Sequence, residues 1–300
     1  MPTPVTDPSL STGLPASSDD STASKQPPGL YIVATPIGNL GDLSPRAAAT
    51  LASVSLIAAE DTRVTARLLH HIGARTPMLA YHDHNADAVR PGLIARMAGE
   101  AIALVSDAGT PLISDPGFKL VRDARAAGIE VFTIPGPCAA VAALTLAGLP
   151  SDRFLFAGFL PVKQQARAAA IAEVAGIRAS LIFYESAGRT SATLSALAEG
   201  LGDRPAAVAR EITKKFEETI DGSLTELAAL YAEVAPRGEV VIVVGPPAAA
   251  AAPDADTLDE ALRAALASTS LSAAASDVAT ALKLPRKAVY ARALELRDGD

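Results

Sequence analysis

The sequence predicts an α/β protein of two domains, the first built on a parallel sheet and the second on a mixed one, with a small helical segment at the end. Three observations carry that expectation. At 300 residues the chain exceeds one average domain. Short apolar runs alternate with helical patterns through most of its length, which implies sheets with helices packed on their faces. After a low-complexity stretch, PPAAAAAPDAD (246–256), the pattern becomes purely helical. The divisions expected are a disordered tail over 1–28, a first α/β domain over 29–149, a second over 150–246, a linker over 247–256 and a helix-turn-helix-like segment over 257–300.

Pro, Ser, Thr and Asp dominate residues 1–28, with neither a basic start nor an apolar h-region, so a disordered tail without a signal peptide is expected. LYIVAT (30–35) is a β-type run, followed by the turn cluster PIGNLGDL (36–43). Ser44 before Pro45 is an N-cap and first-helical-position pair, so a helix starts there. VSLIAA (54–59) is a second strand ending in EDTR (60–63). TPMLAY (76–81), a helix over about 86–99, AIALV (101–105), a helix near 116–127 and IEVFTIP (129–135) continue the alternation. PGPCAAVAALTLAGLPSDRF (135–154) carries a helix and then the break expected at the domain boundary. The second set reads FLFAGFL (154–160), a helix over about 163–175, ASLIFYES (179–186), a helix over about 188–201, AAVAREIT (206–213), EETIDGSL (217–224) and GEVVIVVGP (238–246). In the last segment Leu271, Val278, Leu282 and Val289 supply the apolar positions of two helices, and KLP (283–285) is the turn between them.

Composition narrows the function. The one cysteine, Cys138, excludes an internal disulfide and fits a reducing cytoplasm. The longest uncharged apolar stretch, near CAAVAALTLAGLP (138–150), is too short to span a bilayer, so no membrane association is expected. A net charge of −7 does not favour nucleic acid in general. Residues 283–297 reverse that balance, with Lys283, Arg286, Lys287, Arg292 and Arg297 against Glu295, either as an RNA-facing surface or as a solvated helix face.

The loops carry the chemistry. GNLG (38–41) lacks the second glycine of the dinucleotide fingerprint and is followed by no phosphate-loop lysine, although Glu60 sits where such a fold places its ribose acid. SDAGTPLISDPG (106–117) and PGPCAA (135–140) each follow an apolar strand, so they emerge with the first loop at one edge of a parallel sheet. Their small residues let backbone groups approach a ligand. His82 and His84 are spaced to share a face, but no Cys or further His completes a zinc set. A polar lining of the substrate cleft is the better reading for them, and no metal is expected. Cys138 lacks an evident base nearby, so it reads as a small residue of a cofactor loop rather than a nucleophile. In AREITKKFEE (209–218), Arg210 and Lys214 are suited to attract phosphate, against the plainer reading of a solvated strand end.

Taken together, YIVATPIGNLGDLSPRA, IAAEDTR, HDHN, LVSDAGTPLISDPG, PGPCAA, GLPSDRFLFAGFLP, LIFYES and REITK resemble the tetrapyrrole-methylase group of S-adenosylmethionine enzymes, and within it the 2′-O-methyltransferases of small-subunit ribosomal RNA. The resemblance runs from about residue 30 to the C-terminus; the N-terminal extension departs from it. It implies S-adenosylmethionine in a cleft between two α/β domains, a homodimer, a cytoplasmic enzyme and methylation of a cytidine ribose in the decoding region. It further implies cofactor contacts from Pro36, Asp107, Gly109, Thr110, Cys138 and Ala139, and from Tyr184, Ala209 and the backbone near Val240. Small-subunit rRNA, free or assembled, is the partner expected, with Arg63, His82, His84, Asn85 and Arg210 facing it. A 2′-hydroxyl is a poor nucleophile, so a base or electrostatic helper is expected. Lys214 is the first choice because Lys215 and Arg210 crowd it, with Glu185 and Asp61 as rivals. A methylase of corrinoid or porphyrin precursors, a non-catalytic RNA-binding assembly factor and a dinucleotide oxidoreductase remain open at this point.

Overall fold

The computed structural model describes residues 26–234, 236–248, 255–282 and 284–298. Most of the expected tail, residues 249–254 of the expected linker and Lys283 of the basic stretch lie outside the described residues. The chain divides into two compact units, Met1–Ala143 with Arg210–Glu218, and Leu144–Ala209 with Thr219–Asp300. Against the expected boundary after residue 149, this division falls earlier, inside a helix, and places Arg210–Glu218 in the first unit.

The first unit is a five-stranded parallel sheet of order β3-β2-β4-β1-β5. Its strands are β1 (Gly29–Val33), β2 (Leu56–Ala59), β3 (Met78–Ala80), β4 (Ala101–Val105) and β5 (Val131–Ile134). Helices α1 (Pro45–Ser53), α2 (Thr62–His71), α3 (Ala86–Met97), α4 (Phe118–Ala126) and α5 (Ala139–Leu146) connect and follow them. Period-2 alternation divides the strand side chains between two apolar layers. Tyr31, Val33, Ile57, Ala103 and Val105 pack with Leu51 and Leu68 on one face. Leu30, Leu56, Ile102 and Leu104 pack with Leu93, Met97 and Leu120 on the other. Central β4 is buried along its whole length, as an apolar run in a covered parallel sheet must be. The expected cap is present: the Ser44 hydroxyl accepts from Ala47 N–H at 3.1 Å, with Pro45 opening α1. One feature was not anticipated, Pro91 inside α3, where it removes a helical N–H.

The second unit holds a mixed sheet of order β6-β7-β10-β8-β9. Its strands are β6 (Phe154–Phe159), β7 (Ser180–Ser186), β8 (Pro205–Arg210), β9 (Glu218–Ser223) and β10 (Glu239–Val244). β6 runs parallel to β7 with an irregularity between Phe156 and Gly158, and β10 is antiparallel to β7. Helices α6 (Gln164–Val174), α7 (Thr190–Leu201) and α8 (Leu224–Glu233) contribute to a core of Leu181, Phe183, Leu194, Leu197, Val208 and Ile242. A capping box between Ser223 and Glu226 opens α8.

The terminal helices are α9 (Ala255–Leu266), α10 (Leu271–Leu282) and α11 (Arg286–Asp298). Leu262, Ala275, Val278, Val289 and Ala293 form a core of their own, with Leu271 and Leu282 at its margin. The α10–turn–α11 arrangement is the helix-turn-helix expected from the pattern. Among the described residues no helix is long and apolar enough to cross a membrane.

Candidate cofactor and active site

Because β4, β1 and β5 are parallel neighbours, the loops that follow them leave the same edge of the first sheet. They are joined there by hydrogen bonds. Thr35 and Gly109 exchange two backbone bonds, of 2.8 and 3.1 Å. The Thr110 hydroxyl donates to the Pro137 carbonyl at 2.9 Å. Gly109 sits at φ +82°, where a Cβ would lie 3.2 Å from Ile37 Cγ2, and a Cβ on Gly136 would lie 3.0 Å from Ala34 Cβ. Both glycines are therefore what permits the loops to meet. Pro36, Gly109, Thr110, Cys138 and Ala139 all fall within this convergence, with the Cys138 carbonyl accepting from Ala142 N–H at the start of α5.

The β2 side of the same edge is acidic. Asp61 N–H donates to Asp107 Oδ1 at 3.0 Å, and Asp107 N–H donates to Glu60 Oε2 at 3.3 Å, so two strand ends are tied through their carboxylates. Burial pushes the Glu60, Asp107 and Asp115 carboxyls up. Nearby charge adds to this, from Asp115, Asp107 and Asp83 on Glu60 and from Asp107 on Asp115. Asp61 behaves oppositely. It caps α2 through Arg63 N–H at 2.8 Å and pairs with the Arg63 guanidinium at 2.6 Å, which holds its carboxyl at about 2. A carboxylate so stabilised is a weak proton acceptor. Arg63 itself is 85% exposed.

His82, His84 and Asn85 follow β3. Asn85 is committed to the turn, accepting from His82 N–H at 2.9 Å and donating to the Ala80 carbonyl at 2.8 Å. The two imidazole rings lie edge to face at 6.0 Å. Among the described residues, no group of three or more His, Cys, Asp and Glu is placed to hold a metal ion.

In the second unit, Tyr184 on β7 stands opposite Val241, and Val240 stands opposite Glu185. Gly245 N–H bonds the Pro205 carbonyl at the start of β8, which brings Ala209, near the end of β8, to the same end of the sheet. Ala209 and Val240 are buried within their strands. Tyr184 meets Phe156 and Phe159 edge to face at 4.8 and 5.6 Å. Glu185 is 3% exposed and accepts from Ser186 N–H at 2.7 Å, the Thr193 hydroxyl at 2.6 Å and Arg189 at 3.0 Å. Glu185 is thus a buried tie between β7 and α7, with its oxygens engaged.

The cations of residues 210–218 are each placed against a partner. Arg210 pairs with Glu218 at 2.7 Å, Lys214 with Glu211 at 3.0 Å, and Lys215 Nζ stands 5.4 Å from the Phe216 ring. In the terminal helices Arg292 is held by both oxygens of Asp259, at 2.8 and 2.7 Å, and by Glu295 at 2.7 Å. It belongs to the fold of that segment, while Arg286 and Lys287 are exposed on α11.

The sequence pattern did not single out Asp115 and suggested only a dinucleotide role for Glu60; the signals available were Glu60 directly after the apolar strand β2 and Asp115 within the Pro- and Gly-bearing loop after β4. Comparison with known proteins agrees with the geometry. The family model for Tetrapyrrole (Corrin/Porphyrin) Methylases matches residues 29–228, and that for the RsmI C-terminal HTH domain matches residues 251–297. A Mesorhizobium japonicum protein named ribosomal RNA small subunit methyltransferase I is 50% identical over 274 residues, 90% of this chain and 93% of its own. The Erythrobacter litoralis protein of the same name is 52% identical, over 93% of this chain and 99% of its own. Among solved structures, uroporphyrin-III-C-methyltransferase from Thermus thermophilus is 22% identical with a TM-score of 0.52, covering 72% of this chain and 93% of that one. Diphthine synthase is 14% identical with a TM-score of 0.56, covering 72% and 89%. These two likenesses are of fold; the family is carried by the closer relatives and the two models. The chain belongs to the tetrapyrrole methylase family, among the ribosomal RNA small subunit methyltransferase I proteins.

Proposed function

We propose that this protein transfers a methyl group from S-adenosylmethionine to small-subunit ribosomal RNA, at the 2′-hydroxyl of a cytidine in the decoding region, acting as a cytoplasmic homodimer. The observation that carries this reading is the meeting of three Gly- and Pro-bearing loops at one sheet edge, in a chain half identical to relatives named for rRNA methylation. The relatives half identical to this chain are named for rRNA methylation, whereas the solved uroporphyrin and precorrin methyltransferases resemble it in fold at 22% and 15% identity.

The edge suits such a cofactor. Gly109 and Gly136 leave backbone bare where a Cβ would crowd its neighbours, and the carboxylates of Glu60, Asp107 and Asp115 favour a cationic ligand nearby. Pro36, Asp107, Gly109, Thr110, Cys138 and Ala139 are the proposed contacts of the first unit; Tyr184 and the backbones of Ala209 and Val240 are those of the second. When bound, S-adenosylmethionine supplies a methyl group already activated on a sulfonium. The chain's own residues then have to align and stabilise. Lys214, paired with Glu211, is suited to stabilise the oxygen while its proton passes to solvent water. Exposed Arg63, with Arg286 and Lys287, is suited to phosphates, which position RNA without reading its sequence. His82 and His84 are left as polar lining. Asn85 and Arg210 act through the turn and the ion pair that hold them.

The test is methyl transfer to small ribosomal subunits from cells lacking this protein, read by mass spectrometry of RNA fragments. One methyl on a cytidine ribose is expected; a methylated base, or no incorporation, overturns the reading. Lys214→Ala is expected to lower turnover by about 100-fold at saturating RNA and cofactor. Full turnover would remove Lys214 from the reaction.

A further inference from the structure

The stretch 211–217 is built with unusual care for a surface turn. Glu211 and Thr213 lie at φ 50° and 66°, a region L-residues rarely occupy. Among the described residues, the other non-glycine positions of that kind are Leu112 and Ser114, in the loop after β4. Such conformations persist where their surroundings over-determine them. Here the Glu217 carboxylate accepts from Thr213 N–H at 2.5 Å, Lys214 N–H donates to the Glu211 carbonyl at 2.9 Å, and Glu217 N–H donates to the Lys214 carbonyl at 3.1 Å. The bonds close on both sides of one residue, Lys214.

The Lys214 side chain lies across Gly38, in the loop after β1, and both belong to the first unit. A Cβ on Gly38 would stand 2.5 Å from Lys214 Cγ, 2.8 Å from Cε and 3.1 Å from Cδ. Three carbons of one stem thus pass over one bare α-carbon, while the ammonium reaches Glu211 at 3.0 Å. We infer that Gly38 is the seat of Lys214: the missing side chain lets the lysine stem lie flat across the β1 loop, and Gly38 is a positioning residue for methyl transfer that acts through the lysine. The kinetic part rests on the function proposed above; the seat itself does not.

A double-mutant cycle separates this role from backbone strain. Gly38 has φ +155°, so alanine carries some conformational cost whatever stands above it. That cost persists when the lysine stem is removed, whereas the clash does not. Gly38→Ala is expected to lower turnover on the order of 100-fold, as a displaced catalytic group does. In the Lys214→Ala background the same change is expected to cost no more than about twofold. Equal losses in both backgrounds, or no loss in the parent when Lys214→Ala itself lowers turnover, overturn the inference.

A second readout is independent of activity. With limiting acetic anhydride and peptide mass spectrometry, Gly38→Ala is expected to raise acetylation of Lys214 several-fold over other lysines. Unchanged labelling in the folded variant overturns the seat. Raised labelling together with full turnover of Lys214→Ala keeps the seat and removes the lysine from the chemistry. If Gly38→Ala fails to fold and Lys214→Ala rescues it, the clash is confirmed as the cause; if neither Gly38→Ala protein folds, the backbone alone sets the requirement and the inference falls.

Discussion

The two sheets treat the carboxylates at their strand ends in opposite ways. At the end of β7, Glu185 is buried with a guanidinium, a hydroxyl and a backbone N–H around it. At the ends of β2 and β4, Glu60 and Asp107 each accept one backbone N–H; burial raises both carboxyls and that of Asp115, and the charges of Asp107 and Asp115 raise Glu60 further. The first arrangement stabilises the fold, since each buried oxygen has a donor. The second costs stability, because partly desolvated like charges are held together. The contrast teaches that the loop-bearing edge of the first sheet is organised for a ligand, and the corresponding carboxylate of the second sheet for the fold.

The largest expected effect comes from breaking the satisfied site. Glu185→Ala should destabilise the second unit by about 3 kcal/mol in denaturant unfolding, because Arg189 and Thr193 lose a buried acceptor. A loss below about 1 kcal/mol would show that the tie is replaceable. A middle-sized effect sharpens the contrast through its sign. The Asp115 carboxyl is raised, so its ionisation costs stability as pH climbs past the ordinary carboxylate range. Asp115→Asn should therefore stabilise at pH 7, with the gain vanishing below about pH 4. Asp259, held low by Arg292, contributes stability above that range and loses it as pH falls through its lowered value. Asp259→Asn should destabilise at pH 7, with the deficit shrinking on acidification. Thermal melts across pH check both, and like signs for the two variants would dissolve the distinction. The smallest effect concerns exposed surface charge: Lys287→Ala should reduce the salt slope of RNA binding by about 0.7, the contribution of one phosphate on a single strand. An unchanged slope would place the RNA elsewhere.

Much of this architecture is written locally. Strand positions, the Ser44–Pro45 helix start, the α10–α11 turn and the shared edge of three loops follow from apolar period and from Gly and Pro, which act within a few residues. Parallel order then obliges loops that follow strands to share an edge. Partnership is a different matter. That Arg292 belongs to Asp259, 33 residues away, and that Glu185 meets Thr193 and Arg189 depends on how helices pack. Read along the chain, Lys214 stands among cations; folded, it pairs with Glu211 and rests on Gly38. The sequence by itself determined which segments become strands and helices and where backbone is left bare, because those preferences are short-range. Only the tertiary structure decided which charges are satisfied and which are left at the sheet edge, because a partner's identity is set by register and packing between residues far apart in the chain.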